Sequence, residues 1–220
     1  PPRSTLFPYT TLFRSMIKFV IQQSLTLTKG DKLNNRHFNK GVVALIEKDE
    51  NMPLTPWGDR LEMLYNPISI LNRMISGQLM EAISGLIAKR LGELMSKESR
   101  PKFTEILLTA LTLMDGTENK IYSKNTIKHI KMLSDPAYNK LKEKIAKDRF
   151  FNLLAPPFHS PKRDDIEKAL KYLGLKTAYS LYLPEYKIKC DPVCVGYVYI
   201  TKLEHLSEKK LSVQIGRAHV

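Results

Sequence analysis

The hydrophobic pattern changes period twice along the chain. Residues 17–28 are rich in β-favouring side chains and stop at Lys29-Gly30, which predicts a strand running into a loop. Residues 42–46 predict a second strand leaving that loop. Residues 51–59, with Pro53, Pro56 and Gly58, read as a turn-rich connection, and residues 61–65 as a third short strand stopped by Asn66-Pro67. From Asn72, a candidate N-cap, the period becomes helical: Ile75, Leu79, Ile83, Leu86, Ile87 and Leu91 describe one long amphipathic helix. Three more helices are predicted over 103–114, 125–133 and 136–149, the last capped by Asp135 with proline in its first turn. Pro156-Pro157 marks a joint, followed by a helix over 163–173 ended by Gly174, a hairpin from 177–183 and 186–189, and a long strand over 193–203. Strands at both ends around a helical middle predict an α+β fold in which the terminal strands meet in one sheet or barrel.

The 220 residues carry a formal charge of +13, which points to nucleic acid, nucleotides or another polyanion. No apolar run approaches the ~20 residues of a membrane span, so a soluble protein is predicted. Two cysteines, Cys190 and Cys194, give no disulfide framework and lack the further ligands of a closed zinc site. The ends are of another character. Residues 5–15, TLFPYTTLFRS, and 215–220, IGRAHV, look like translated sequencing adapters. The organisation read from the sequence is therefore 1–15 tail, 16–75 strands and basic loop, 76–153 helical insertion, 154–214 helix, hairpin and returning strand, and 215–220 tail. The gene is expected to continue past both ends. Setting the tails aside removes three arginines, and the remainder stays strongly basic.

Candidate chemistry concentrates in residues 30–41, GDKLNNRHFNKG, where Lys32, Arg36, His37 and Lys40 sit on a loop framed by glycines. Ammonium, guanidinium and freely approached backbone N–H groups suit phosphate. Composition alone also fits a plain solvated loop. A second cation, Arg73, falls at the start of the long helix, where the helix dipole favours an anion. By contrast, Asp164-Asp165 on a first helical turn fits dipole compensation, the lysines at 140, 142, 144 and 147 fit a solvated face, and Trp57, Tyr197 and Tyr199 fit packing.

Residues 30–43 resemble the GDKxxxRHxNKGV signature of the β (second-largest) subunit of multisubunit DNA-directed RNA polymerases. Met52-Pro53, the turn at Gly58, Asn66-Pro67 and Arg73-Met74-x-x-Gly77-Gln78 follow in that family's order. Ala155-Pro156-Pro157-Phe158 and the stretch 195–206, VGYVYITKLEHL, resemble later elements of the same subunit. The likeness spans 17 to about 96 and 154 to about 211. It implies part of a double-psi β-barrel with helices inserted between its strands, in a nucleotidyltransferase subunit inactive by itself.

The resemblance implies that Lys32 and Lys40 lie beside the RNA 3′ end and substrate nucleotide, and that Arg73 contacts the incoming triphosphate. Arg36, His37, Asn39, His205 and Lys210 are implied to meet nucleic acid, with a structural role open for His205. The implied partners are the β′ (largest) subunit, the RNA:DNA hybrid and nucleoside triphosphates. Mg²⁺ is expected on a carboxylate triad of β′, none on this chain, in the cytoplasm of a bacterial or phage-infected cell. Asn34-Asn35 stand where the family has small residues and Phe38 where it has glycine, which puts the loop's path in question and suggests a phage or divergent bacterial enzyme. The rival reading is a non-catalytic basic nucleic-acid-binding module.

Overall fold

A computed structural model of the chain describes residues 22, 24, 26–156 and 158–204. The strand expected over 17–28 falls mostly outside them, as do both tails, His205 and Lys210. In chain order the elements are β1 (Lys32–Asn35), β2 (Lys40–Val42), α1 (Pro67–Asn72), α2 (Ser76–Lys97), α3 (Arg100–Met114), α4 (Ile121–Met132), α5 (Asp135–Asp148), α6 (Arg163–Tyr172), β3 (Tyr182–Leu183), β4 (Ile188–Lys189) and β5 (Ile200–Lys202).

The helices hold the core. Ile87, Leu91 and Met95 of α2 pack with Phe103, Leu107 and Ala110 of α3, Ile127 and Ile130 of α4, Tyr138 and Ile145 of α5, and Ile166, Ala169 and Leu170 of α6. The sets recur at three-, four- or seven-residue spacing, with Leu170 beside Ala169, so each helix turns one stripe inward. Arg100 fastens two helix ends: its guanidinium donates to the Ile130 carbonyl at 2.9 Å and to Asp135 at 2.7 Å, satisfying the C-terminal carbonyls of α4 beside the acidic start of α5.

The strands are fewer and shorter than the sequence predicts. β2, β1 and β5 form one antiparallel sheet, with Lys32 opposite Val42, Asn34 opposite Lys40 and Leu33 opposite Lys202. β3 and β4 form the hairpin expected near Tyr182. The fold is thus α+β, but among the described residues the strands close no double-psi barrel. Residues 61–65 form no strand; nearby pairing stops at an isolated bridge between Leu54 and Arg60. Asn72 does not cap the long helix either. Asn66 caps α1, its side chain accepting from Ile68 N at 3.0 Å with Pro67 in the first turn. The chain then breaks at Arg73-Met74, where Met74 has φ 50°, before α2 begins.

The predicted long strand over 193–203 enters the sheet only at its last residues because its first half is engaged elsewhere, Val193 bridging to Tyr179 and the stretch around Gly196 and Tyr197 lying on α2. Tyr197 N donates to Ala82 O at 3.2 Å. Glycine is required on both sides of this crossing: a Cβ on Gly196 would strike the Ala82 carbonyl, and one on Gly85 the Tyr197 carbonyl. Just below the crossing, Lys89 Nζ is buried against the Asp59 carboxylate and donates to Tyr197 OH at 2.7 Å, with the Trp57 and Tyr197 rings 5.4 and 5.1 Å away. Trp57 also donates to Asp59 at 3.0 Å and stacks edge-on against Tyr179. The hydrogen bond from Lys89 holds the Asp59 carboxyl below its ordinary range. Burial disfavours the Lys89 ammonium, but its bonds to Asp59 and Tyr197 outweigh that and raise its pKa.

Two outcomes are expected. Gly196→Ala should lower stability by about 3 kcal/mol, the upper end of overpacking costs, whereas Gly41→Ala, whose Cβ meets nothing within 4 Å, should be near neutral in urea unfolding. Because the folded Asp59 pKa is depressed, its contribution is present above the ordinary value of 3.8 and disappears as pH falls through the folded value. The raised Lys89 pKa contributes below 10.5 and is lost as pH rises through its folded value. The urea midpoints of wild type and Asp59→Asn should therefore differ at neutral pH and converge in acid; a constant gap would contradict the ion pair.

Candidate nucleotide and nucleic-acid site

The basic loop is shaped first by Asn35. Its backbone N–H donates to Asn39 O at 3.1 Å, and its side-chain oxygen accepts from His37 N at 2.8 Å and Asn39 N at 3.0 Å. This local capping closes a turn over residues 36–39. Phe38 takes the left-handed conformation expected of the glycine it replaces, at φ 57°, with its ring in solvent. Asn35 contributes to holding the turn in that conformation.

Three loop residues are then tied to the first turns of α2. Asn39, 2% exposed, donates to Gln78 Oε1 at 3.1 Å. His37 Nε2 meets Glu81 Oε2 at 2.6 Å, and a Cβ on Gly77 would lie 2.8 Å from the His37 ring, so glycine there lets the imidazole close on the helix. Arg36 lies 3.9 Å from Glu81 and stacks on the Tyr199 ring at 4.3 Å, while Tyr199 N donates to Glu81 Oε1 at 3.0 Å. Glu81 thus joins the loop, the helix and the strand returning from the end of the chain. Sequence reasoning missed it: a lone glutamate on an amphipathic helix carries no signal until the strand is seen beside it.

The remaining cations are differently placed. Register puts Lys32 and Lys40 on one face of the sheet, since Asn34 lies two residues from Lys32 and opposite Lys40. Neither forms an ion pair among the described residues, and neither does Arg73, exposed at the break between α1 and α2, five residues before the Gln78 that holds Asn39. Lys202, on the opposite sheet face, is instead consumed by the buried Asp31 at 2.8 Å. An open groove of about 900 Å³ runs beside β2, bordered by Asn34, Lys40, Val42, Met63, Tyr65 and Gln78. The loop's nitrogenous side chains are therefore of two kinds. Asn39 is enclosed and His37 and Arg36 are engaged by Glu81, with Arg36 still 64% exposed, whereas Lys32 and Lys40, like Arg73 outside the loop, form no ion pair among the described residues.

Among the described residues no group of three or more His, Cys, Asp or Glu is arranged to hold a metal, and no helix is long and apolar enough to cross a membrane. Asp164 and Asp165 occupy the first turn of α6, and Cys190 and Cys194 are free thiols.

Glu81→Ala should free both ends of this bridge. The expected result is faster hydrogen exchange at the Tyr199 and His37 amides, equivalent to about 2 kcal/mol for a lost carboxylate acceptor, with α3 amides unchanged.

The loop, the first turns of α2 that hold it and the returning strand all lie within the span of one family match. The family model described as RNA polymerase Rpb2, domain 6, matches residues 10–218. The chain belongs to that family, and so carries a domain of the second-largest subunit of a DNA-directed RNA polymerase, a protein that works with other polymerase subunits and nucleic acid in transcription.

Proposed function

We propose that the loop over 30–41, together with Arg73, forms the cationic wall of a nucleotidyl-transfer site and the start of the surface that holds the RNA:DNA hybrid. The observation that carries this reading is the separation of roles within one loop. Arg36, His37 and Asn39 are held by Glu81, Gln78 and Asn35, which fixes the backbone that presents Lys32 and Lys40 unpaired on one sheet face. A loop meant only for solvation has no need of such anchoring. Phosphoryl transfer is catalysed mainly by positioning and by neutralising phosphate charge, and ammonium groups carried on an anchored backbone suit both.

In this reading Lys32 and Lys40 contact the RNA 3′-end phosphate and the substrate nucleotide, and Arg73 the incoming triphosphate, its planar fork spanning two oxygens. Arg36 adds a hybrid contact from its exposed edge, and His37 and Asn39 act by orienting the loop. The sheet β2-β1-β5 is a portion of a double-psi barrel completed by further strands of the subunit. Mg²⁺, which would supply the Lewis acid for the transfer, is assigned to carboxylates of the largest subunit. The departures at Asn34, Asn35 and Phe38 favour a phage or divergent bacterial source.

In the intact polymerase, Arg73→Ala should raise the nucleotide KM by roughly tenfold, the value of a hydrogen bond to a charged group, with a smaller change in kcat. An unchanged nucleotide KM removes Arg73 from the site.

A further inference from the structure

Phe38 is explained by neither the docking of the basic loop nor its charge. Its backbone sits at φ 57° and its side chain is 93% exposed. A left-handed conformation is costly for a bulky residue, and an exposed ring recovers nothing by burial. Yet the tip is not loosely held. The residue before it is fixed by Glu81 and Asn35, the residue after it by Gln78 and Asn35. Among the described residues no ring or cation stacks on Phe38, while Arg36 and Lys40 flank it two positions away on either side.

We propose that Phe38 is a nucleobase-stacking residue, presented by the rigid loop so that one strand's phosphates meet the flanking cations while an unpaired base lies on the ring. This rests on the reading of Lys32 and Lys40 as phosphate contacts and adds a base contact to it. A nucleic acid fits the position better than an apolar pocket on another protein, because enclosing Phe38 in such a pocket would also desolvate Arg36 and Lys40. A single strand or strand end fits better than the interior of a duplex, where both faces of each base are already covered. Base–aromatic stacking tolerates any sequence, so the contact would steady a strand without reading it.

The test uses the 220-residue chain, fluorescence anisotropy, and two labelled single-stranded oligonucleotides of equal length and charge, one with bases and one abasic. Wild type should bind the base-bearing strand about tenfold more tightly than the abasic one, the range of one lost stack. Phe38→Gly and Phe38→Leu should lose that preference while keeping abasic affinity, and Phe38→Trp should retain it with quenching of the new indole on binding. Phe38→Gly should at the same time raise the thermal midpoint by a few degrees, so weaker binding cannot be laid to misfolding. Equal binding of both strands by wild type, absence of binding to either, or a preference that survives Phe38→Gly overturns the proposal and leaves the ring to a protein partner. Lys32→Gln/Lys40→Gln should weaken both strands alike; abasic binding unaffected by that pair overturns the phosphate reading itself.

Discussion

The crossing of the segment 195–199 over α2 is the contact on which the arrangement depends. Backbone meets backbone there, with Gly196 against Ala82 and Gly85 against Tyr197, so the separation is set by main-chain atoms rather than by adaptable side chains. Below the crossing α2 is part of the helical core through Ile87, Leu91 and Met95; above it, Gln78 and Glu81 grip the basic loop. One helix therefore has its lower half buried and its upper half committed to the site. The returning strand is delivered to β1 at a register fixed by where it leaves that helix, and a slip of one residue would move Lys202 away from Asp31 and turn Thr201 to the wrong face.

That arrangement decides which cations are available. A chain this basic could hold its lysines and arginines anywhere, but the acids near the loop are distributed unequally. Asp31 takes Lys202 and Glu81 takes His37 and Arg36. The cost of leaving Lys32, Lys40 and Arg73 unpaired is small, because Lys40 and Arg73 are exposed and Lys32 is only partly buried. In the proposed role, preorganisation would depend on the anchored backbone more than on the free charges, since that backbone need not rearrange if phosphate binds.

Much of the helical region was legible from period and caps: α3, α5 and α6 begin and end within a few residues of expectation, and Gly174 takes φ 69° just after α6, as a helix-terminating glycine should. Errors arose where one local signal supports two outcomes. Asn66-Pro67 was read as a strand stop, yet the same pair is a helix start, with asparagine as cap and proline in the first turn. The run of β-branched and aromatic residues over 193–203 is that of a strand, but the same residues also suit an extended segment lying on a helix, and local sequence does not say which partner is nearer. The loop's cations and Arg73 stood out by composition and motif. Glu81 and the Lys89 cluster did not, because each is made by residues far apart in the chain: Lys89 is 30 residues from Asp59 and 108 from Tyr197.

The Lys89 cluster also shows why a buried charge is retained in an otherwise apolar helix face. A methionine of similar length would fill the space and avoid the desolvation cost, so the pair is a poor device for stability alone. It differs from a hydrophobic contact in being directional. Asp59 must stand where both Lys89 and Trp57 can donate to it, and Tyr197 where its hydroxyl can accept from Lys89. Those requirements fix the turn over 53–59 and the rotation of the 195–199 segment at once, one turn of α2 below the glycine crossing. The apolar core could tolerate a small slide of that segment along the helix; the ammonium could not, because the slide would strand a charge without a partner. The accuracy with which β5 meets β1, and hence with which the basic loop is aimed, is in that sense set by a lysine that touches neither.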